Sequence, residues 1–115
     1  MKPGLIMVAL MLAGCSRKEL PFDAKDATRE IHRWVPTGTP AADARLIMEK
    51  HQFKCAAITH DDFATSDGGV MKGLDHIYCD RVSYEPPVER RWQAVLVLKD
   101  GKVSDIHVTT GLTGP

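Results

Sequence analysis

The sequence predicts an α+β domain in which two N-terminal helices pack on a small antiparallel sheet of three to four strands. Apolar residues recur at three and four positions between Asp23 and His51, the spacing of amphipathic helices. From Phe53 onward the pattern turns extended, with β-branched and aromatic residues. Near the end, two apolar runs flank Asp100-Gly101, which is the signature of a β-hairpin. Ahead of these elements lies a segment of another kind, residues 1 to 21, whose pattern concerns location rather than fold.

That segment opens with Met1-Lys2, runs uninterrupted and apolar from Leu5 to Leu12, and ends on the small residues Ala13 and Gly14 before Cys15. A short positive start, an apolar centre and small residues make an export signal. It is too short to span a bilayer, which takes about 20 apolar residues, and Arg17, Lys18 and Glu19 follow at once. A buried first helix would place polar residues at helical spacing, and there are none between Lys2 and Cys15. Leu12-Ala13-Gly14-Cys15 resembles the bacterial lipobox, at which lipoproteins are lipidated on the cysteine and cleaved just before it. The resemblance implies that residues 1–14 are a signal peptide, that Cys15 carries the lipid, and that 15–21 forms a short linker to a globular domain over 22–115. Each buried methylene contributes about 0.8 kcal/mol, so two or three acyl chains would hold the protein stably on a membrane. Ser16 rather than aspartate after the cysteine favours, by analogy with Gram-negative lipoproteins, an outer membrane facing the periplasm. Ser16 to Pro21 reaches at most about 20 Å, so the domain is expected close to that membrane.

In the globular part, Asp23 is placed to cap a helix running to about Trp34, with Ala24, Ala27, Ile31 and Trp34 along one stripe and Pro36 stopping it. Trp34 reads as core packing. Thr39 is expected as the cap of a second helix, Pro40 as its first residue and Asp43 as an acid in its opening turn, with Ala41, Ala44, Ile47 and Met48 inward. Lys50 and His51 suit its far end, where a cation or imidazole is welcome beside the last carbonyls. Phe53 to Thr59 reads as a first strand, HDDFATSDGGVMKG as a long polar loop, and Leu74 to Tyr84 as a second strand broken by Glu85-Pro86-Pro87.

The final hairpin has two candidate registers. A two-residue turn pairs Lys99 with Lys102 and sends Ile106 to the face of Val95. A three-residue turn with glycine in the left-handed position instead gathers Trp92, Ala94, Leu96, Leu98, Ile106 and Val108 on one face, and is preferred for that reason. It leaves Asp105, His107 and Thr109 in a row on the other face. Acid, imidazole and hydroxyl in a row suggest a relay, but side chains two apart on a strand stand about 7 Å from each other, too far for a nucleophile and its base. The row reads as the wet side of a half-buried strand.

Composition narrows the partners. Fifteen basic and fifteen acidic residues give a formal charge of zero, and loss of Lys2 with the leader leaves one excess acid. Nucleic acid demands a basic face, so none is expected as a partner. Of the three cysteines, Cys15 is assigned to lipid, which leaves Cys55 and Cys79 as an even pair in an exported chain, where disulfides persist. The rival is a metal or redox site, because His51, Cys55, His76 and Cys79 are a set that zinc accepts; their spacing permits this without being diagnostic. His60-Asp61-Asp62 with Asp67 offers oxygen ligands but lacks the regular spacing of a calcium loop, and reads as solvated. No phosphate loop, nucleophile elbow or His-Glu-x-x-His pair occurs, so no cofactor, no metal and no catalytic residue is expected.

A helix, a Gly-Thr-Pro turn, a second helix and an antiparallel meander behind a lipobox resemble the small outer-membrane lipoprotein domain called SmpA/OmlA or BamE-like. The matching positions run from Gly38 to Thr109: Gly38-Thr39, the face Ala44, Ile47 and Met48, and VLVLKDGKVSDIHV. The chain has Glu49-Lys50-His51-Gln52 where that family has a Leu-Gly-x-Pro turn, and the family lacks this cysteine pair. Its members are accessory subunits of envelope assemblies, so the resemblance implies a membrane-anchored, non-catalytic binding or scaffolding domain with an envelope protein partner. The alternative is an inhibitor of an envelope-directed enzyme such as lysozyme, since small exported lipoproteins with one disulfide serve that way and IYCDRVSY loosely resembles such inhibitors.

Overall fold

The structure is a computed structural model that describes residues 20–65 and 68–113, Thr113 through its backbone only. The leader, Cys15, most of the linker and Asp67 therefore lie outside the described residues. Two helices, α1 (Ala24–Trp34) and α2 (Ala41–Lys50), are followed by β1 (Lys54–Cys55), β2 (Thr59–Ala64), β3 (Val70–Glu85), β4 (Val88–Lys99) and β5 (Lys102–Thr113). All strand pairs are antiparallel, in the order β1-β3-β4-β5, with β2 also paired to β3. The sheet has five strands, not the three to four expected. Among the described residues no helix is long and apolar enough to cross a membrane.

Helix α1 forms where its sequence places it. The Asp23 carboxylate accepts the Asp26 N–H at 3.2 Å, and Ala27 and Ile31 are buried four residues apart. Helix α2 starts one residue later than its cap signal implies. Thr39 turns its hydroxyl to the Pro36 carbonyl at 2.6 Å, and Pro40 occupies the cap position with no side-chain bond. The reason is tertiary: Gly38 N–H donates to Val103 O, Val103 N–H to Thr39 O, and Pro40 bridges Lys102, so the entry to α2 is held as an extension of the sheet. At the other end Gln52 takes a left-handed φ of 73°, and Phe53 N–H bonds back to Met48 O, which tucks Phe53 into the core.

One core joins the layers. Ala27 and Ile31 of α1, Ala44 and Met48 of α2, Phe53, Ile77, Cys79, Trp92, Ala94, Leu96, Ile106 and Val108 pack in a single cluster, with Leu20 and Val35 closing its rim. Trp92 donates its indole N–H to Pro21 O at 2.8 Å and meets the Phe22 ring edge-on at 5.7 Å, so the packed body already includes Leu20 and Pro21. On the opposite side of the sheet Val95 and Val97 are also buried.

The final hairpin resolves its register in an unexpected way. The turn has two residues, Asp100 (φ 54°) and Gly101 (φ 78°), and pairs Lys99 with Lys102. Both positive angles match the twist that flanking strands require. A bulge between Leu98 and Val97 then adds Ser104 to β5 and restores the apolar register: Leu96 faces Ile106 and Ala94 faces Val108. The face composition is the one preferred from the sequence, but the turn is not.

The segment read as one strand and a long loop is also rebuilt. Only Lys54 and Cys55 of the Phe53–Thr59 stretch pair as β1, while Thr59–Ala64, part of it assigned to the loop, forms β2 against the early half of β3. Residues Val70 to Asp75 pair with β2 alone, because β3 meets β4 only from His76 onward. These two half-strands make an arm that leaves the sheet. A register shift between Asp61 and Phe63 bends it, with the Asp62 carboxylate accepting the N–H of Gly73, whose φ of 59° favours glycine. The arm carries Phe63 back over the sheet, its ring 4.8 Å from that of His76 and 5.8 Å from that of His107.

Candidate functional site

Beneath that arm the outer face of the sheet holds a cavity of about 200 Å³. Phe63 and Ala64 of β2 roof it, Val95 of β4 lies at its centre, and Tyr78, Gln93, His107 and Thr109 stand around it. The registers explain the grouping. Tyr78, Val95 and His107 are directly paired across three strands, and Gln93 pairs with Thr109 in the next row on the same face. The row Asp105, His107, Thr109 does lie on one face, as expected, and Asp105 is exposed, but the Phe63 ring lies 5.8 Å from that of His107, so His107 is not on a simple wet surface. Its side chain is 24% exposed.

The polar groups are tied into a short chain. Thr109 Oγ1 donates to Gln93 Oε1 at 3.3 Å, and Gln93 Nε2 donates to the Tyr78 hydroxyl oxygen at 2.7 Å. Tyr78 retains its own proton to give. Burial, and secondly the Asp80 carboxylate, push its phenol above the ordinary value, so it remains a donor at neutral pH. Asp80 is itself gripped by both Nε and Nη2 of Arg91 at 2.9 and 3.1 Å, which takes that guanidinium out of play. The exception to this order is His107 Nε2. It is buried, and Asp105 Oδ2 lies 3.2 Å away but out of line, so the nitrogen makes no hydrogen bond. An unpaired buried polar atom costs about 1–3 kcal/mol.

The other sequence candidates fall elsewhere. Cys55 and Cys79 are joined by a disulfide, on a directly opposed pair whose Cα atoms are 4.0 Å apart. Ala56 N–H bonds to Tyr78 O in the neighbouring pair, so the cysteines occupy the non-hydrogen-bonded site where side chains approach most closely. The zinc set is dispersed by this geometry. Both thiols are consumed, His76 points to the outer face three residues from the core-facing Cys79, and its Nδ1 bonds to Leu74 O at 2.8 Å. His60 pairs with Asp75 at 2.6 Å across β2 and β3, in a strand rather than a loop. Among the described residues no three His, Cys, Asp or Glu side chains converge as a metal site.

His51 caps α2 but not as a favoured cation. Its ring stacks on Trp34 with centroids 3.6 Å apart and planes 3° apart, and Arg81 donates to its carbonyl at 3.2 Å. Desolvation, then the Arg81 charge, hold its pKa below the ordinary 6.5. The unfolded chain therefore takes up a proton first on acidification, so stability falls as pH drops through 6.5 toward the depressed folded value. Urea midpoints should rise between pH 5 and 7.5, and His51→Gln should flatten that rise; an unchanged slope in the variant would assign it to other groups.

No family model, curated protein or solved structure matches this chain. The chemistry of the site is therefore read from its own residues. Thr109 gives its proton to Gln93 rather than to His107, so these two do not form a nucleophile and base. What the cavity offers is a short chain of donors and acceptors, Thr109, Gln93 and Tyr78, beside the apolar Val95 and Phe63. From the sequence, Gln93, Asp105, His107 and Thr109 could be found through the hairpin register. Tyr78 needs the pairing of β3 with β4 as well, and Phe63 could not be found, because its place depends on the arm.

Proposed function

We propose that the protein is a lipid-anchored cell-envelope lipoprotein whose small domain binds or scaffolds an envelope protein partner without catalysis. The observation that carries the binding role is the cavity on the outer sheet face, lined by the hydrogen-bonded chain of Thr109, Gln93 and Tyr78 beside Val95 and Phe63. Groups held in place before a ligand arrives lose little entropy on binding, which is how small domains reach useful affinity. The tether rests on the LAGC sequence at residues 12–15, and the early start of the packed body at Leu20 supports a short distance between anchor and domain.

Intact-mass measurement of the protein extracted from its native membrane tests the anchor. The expected mass is that of residues 15 to 115 plus acyl chains, with two alkyl groups added only after reduction. An unprocessed chain would overturn the tether, and alkylation without reduction would overturn the bonded cysteines. Crosslinked pull-down from the same extract should return a stable partner; recovery of the bait alone would overturn the docking role.

A further inference from the structure

We infer that the cavity under the β2–β3 arm is a binding site for a neutral, hydroxyl-rich ring, a single sugar residue, seated between Val95 and Phe63. The inference rests on the binding-domain reading above and names the group that the cavity itself takes, a sugar residue rather than a stretch of the protein partner. Three observations select it.

The first is charge. Among the described residues no lysine or arginine lines the cavity, the nearby Arg91 is held bidentately by Asp80, and the Asp105 carboxylate stands 3.2 Å from His107 Nε2. A phosphate or carboxylate would meet repulsion there and find no cation.

The second is the pattern of unused hydrogen-bonding capacity. Tyr78 has a proton to donate, Gln93 has a second amide hydrogen and Thr109 has free lone pairs, three polar groups that line the same cavity. A hydroxyl donates and accepts through one oxygen, so one ring hydroxyl can accept from Tyr78 or Gln93 while it gives its own proton to Thr109. Several hydroxyls on one ring can address opposite walls of the cavity together.

The third is shape. About 200 Å³ is below the range of about 300 Å³ and upward typical of drug-sized ligand sites, and suits one six-membered ring. Phe63 above and Val95 below provide apolar surfaces for the C–H faces of such a ring.

The test is calorimetric titration of the full protein in detergent with glucose, N-acetylglucosamine, a tetrasaccharide of N-acetylglucosamine, and acetate as the anionic control. Saturable binding of at least one sugar is expected, with Kd on the order of 1 mM, and none of acetate. Tyr78→Phe, which keeps the ring and removes one donor, should weaken binding about tenfold, and His107→Ala at least as much. Tyr78→Phe retains the shape of the site, so it remains informative if the histidine variant fails to fold. A tetrasaccharide that binds no more tightly than the monosaccharide supports a site for a free ring or chain end; tighter binding supports a glycan lying along the face. No sugar binding to the folded protein, acetate binding as tightly as sugar, or affinity unchanged in both variants would overturn the assignment. If sugars fail but the pull-down still returns a partner, only the ligand class falls. If both fail, the binding-domain reading falls with it.

Discussion

Replacing Trp92 with alanine is expected to destabilise the domain by about 4 kcal/mol, a large fraction of the 5–15 kcal/mol typical of folded domains. Trp92 is 2% exposed and touches every layer around it. Its ring packs in the core cluster with both helices, meets Phe22 edge-on, and lies under the Arg81 guanidinium at 5.2 Å from the ring centroid. Alanine would empty a large volume that neither the sheet nor α1 can fill by moving. Trp92→Phe separates packing from hydrogen bonding, because it keeps an aromatic ring and loses only part of the volume and the indole bond to Pro21 O, worth about 1 kcal/mol. Urea midpoints for the two variants check this. A loss under 1 kcal/mol for the alanine variant would mean that Trp92 is not central to the core.

Loss of the Cys55–Cys79 bond should cost nearly as much. The bond spans 24 residues, and loop closure of that length removes about 3.5 kcal/mol of entropy from the unfolded chain. In a domain of this size that corresponds to a melting temperature lower by roughly 15–25 °C. The structure gives the loss a location. β1 has only two residues, and besides the disulfide it is held by Arg45 of α2, which donates to the carbonyls of Cys55, at 3.0 Å, and of Ala56. Without the bond this short strand and the chain leading to β2 should loosen first. Calorimetric scans with and without reductant should differ by that amount, and the Cys55→Ala/Cys79→Ala double variant should match the reduced protein. A melting temperature insensitive to reductant would contradict the expectation.

The legible parts of the fold are those where burial is one-sided. Helix α1 shows itself through Asp23, Ala27 and Ile31, and the core face of β4 through the alternation Trp92, Ala94, Leu96, Leu98, because a stripe of apolar residues repeats with the period of the element. The β2 strand gives no such signal. Thr59 to Asp62 and Ala64 are all exposed and only Phe63 is partly covered, so THDDFA has no buried face and reads as a loop. The Asp100-Gly101 turn was legible as a hairpin but not as a two-residue one, since the bulge at Ser104 corrects the register downstream and lets either turn length yield the same core. The candidate site was half legible for the same reason. Asp105, His107 and Thr109 follow from the hairpin, whereas Phe63 arrives over them through a bend at Asp62 and Gly73 that no hydrophobic period encodes.

The bond from the Trp92 indole to Pro21 has a mechanical meaning. Leu20 lies in the core and Pro21 is fastened to the middle strand region, so tension on the chain ahead of Leu20 arrives at the centre of the sheet and not at the end of α1. A pull from the N-terminal side must first extract Leu20 and break the link at Trp92 before any helix can unwind. The domain would therefore resist such a load as one body and then yield abruptly, rather than unravelling turn by turn from that end.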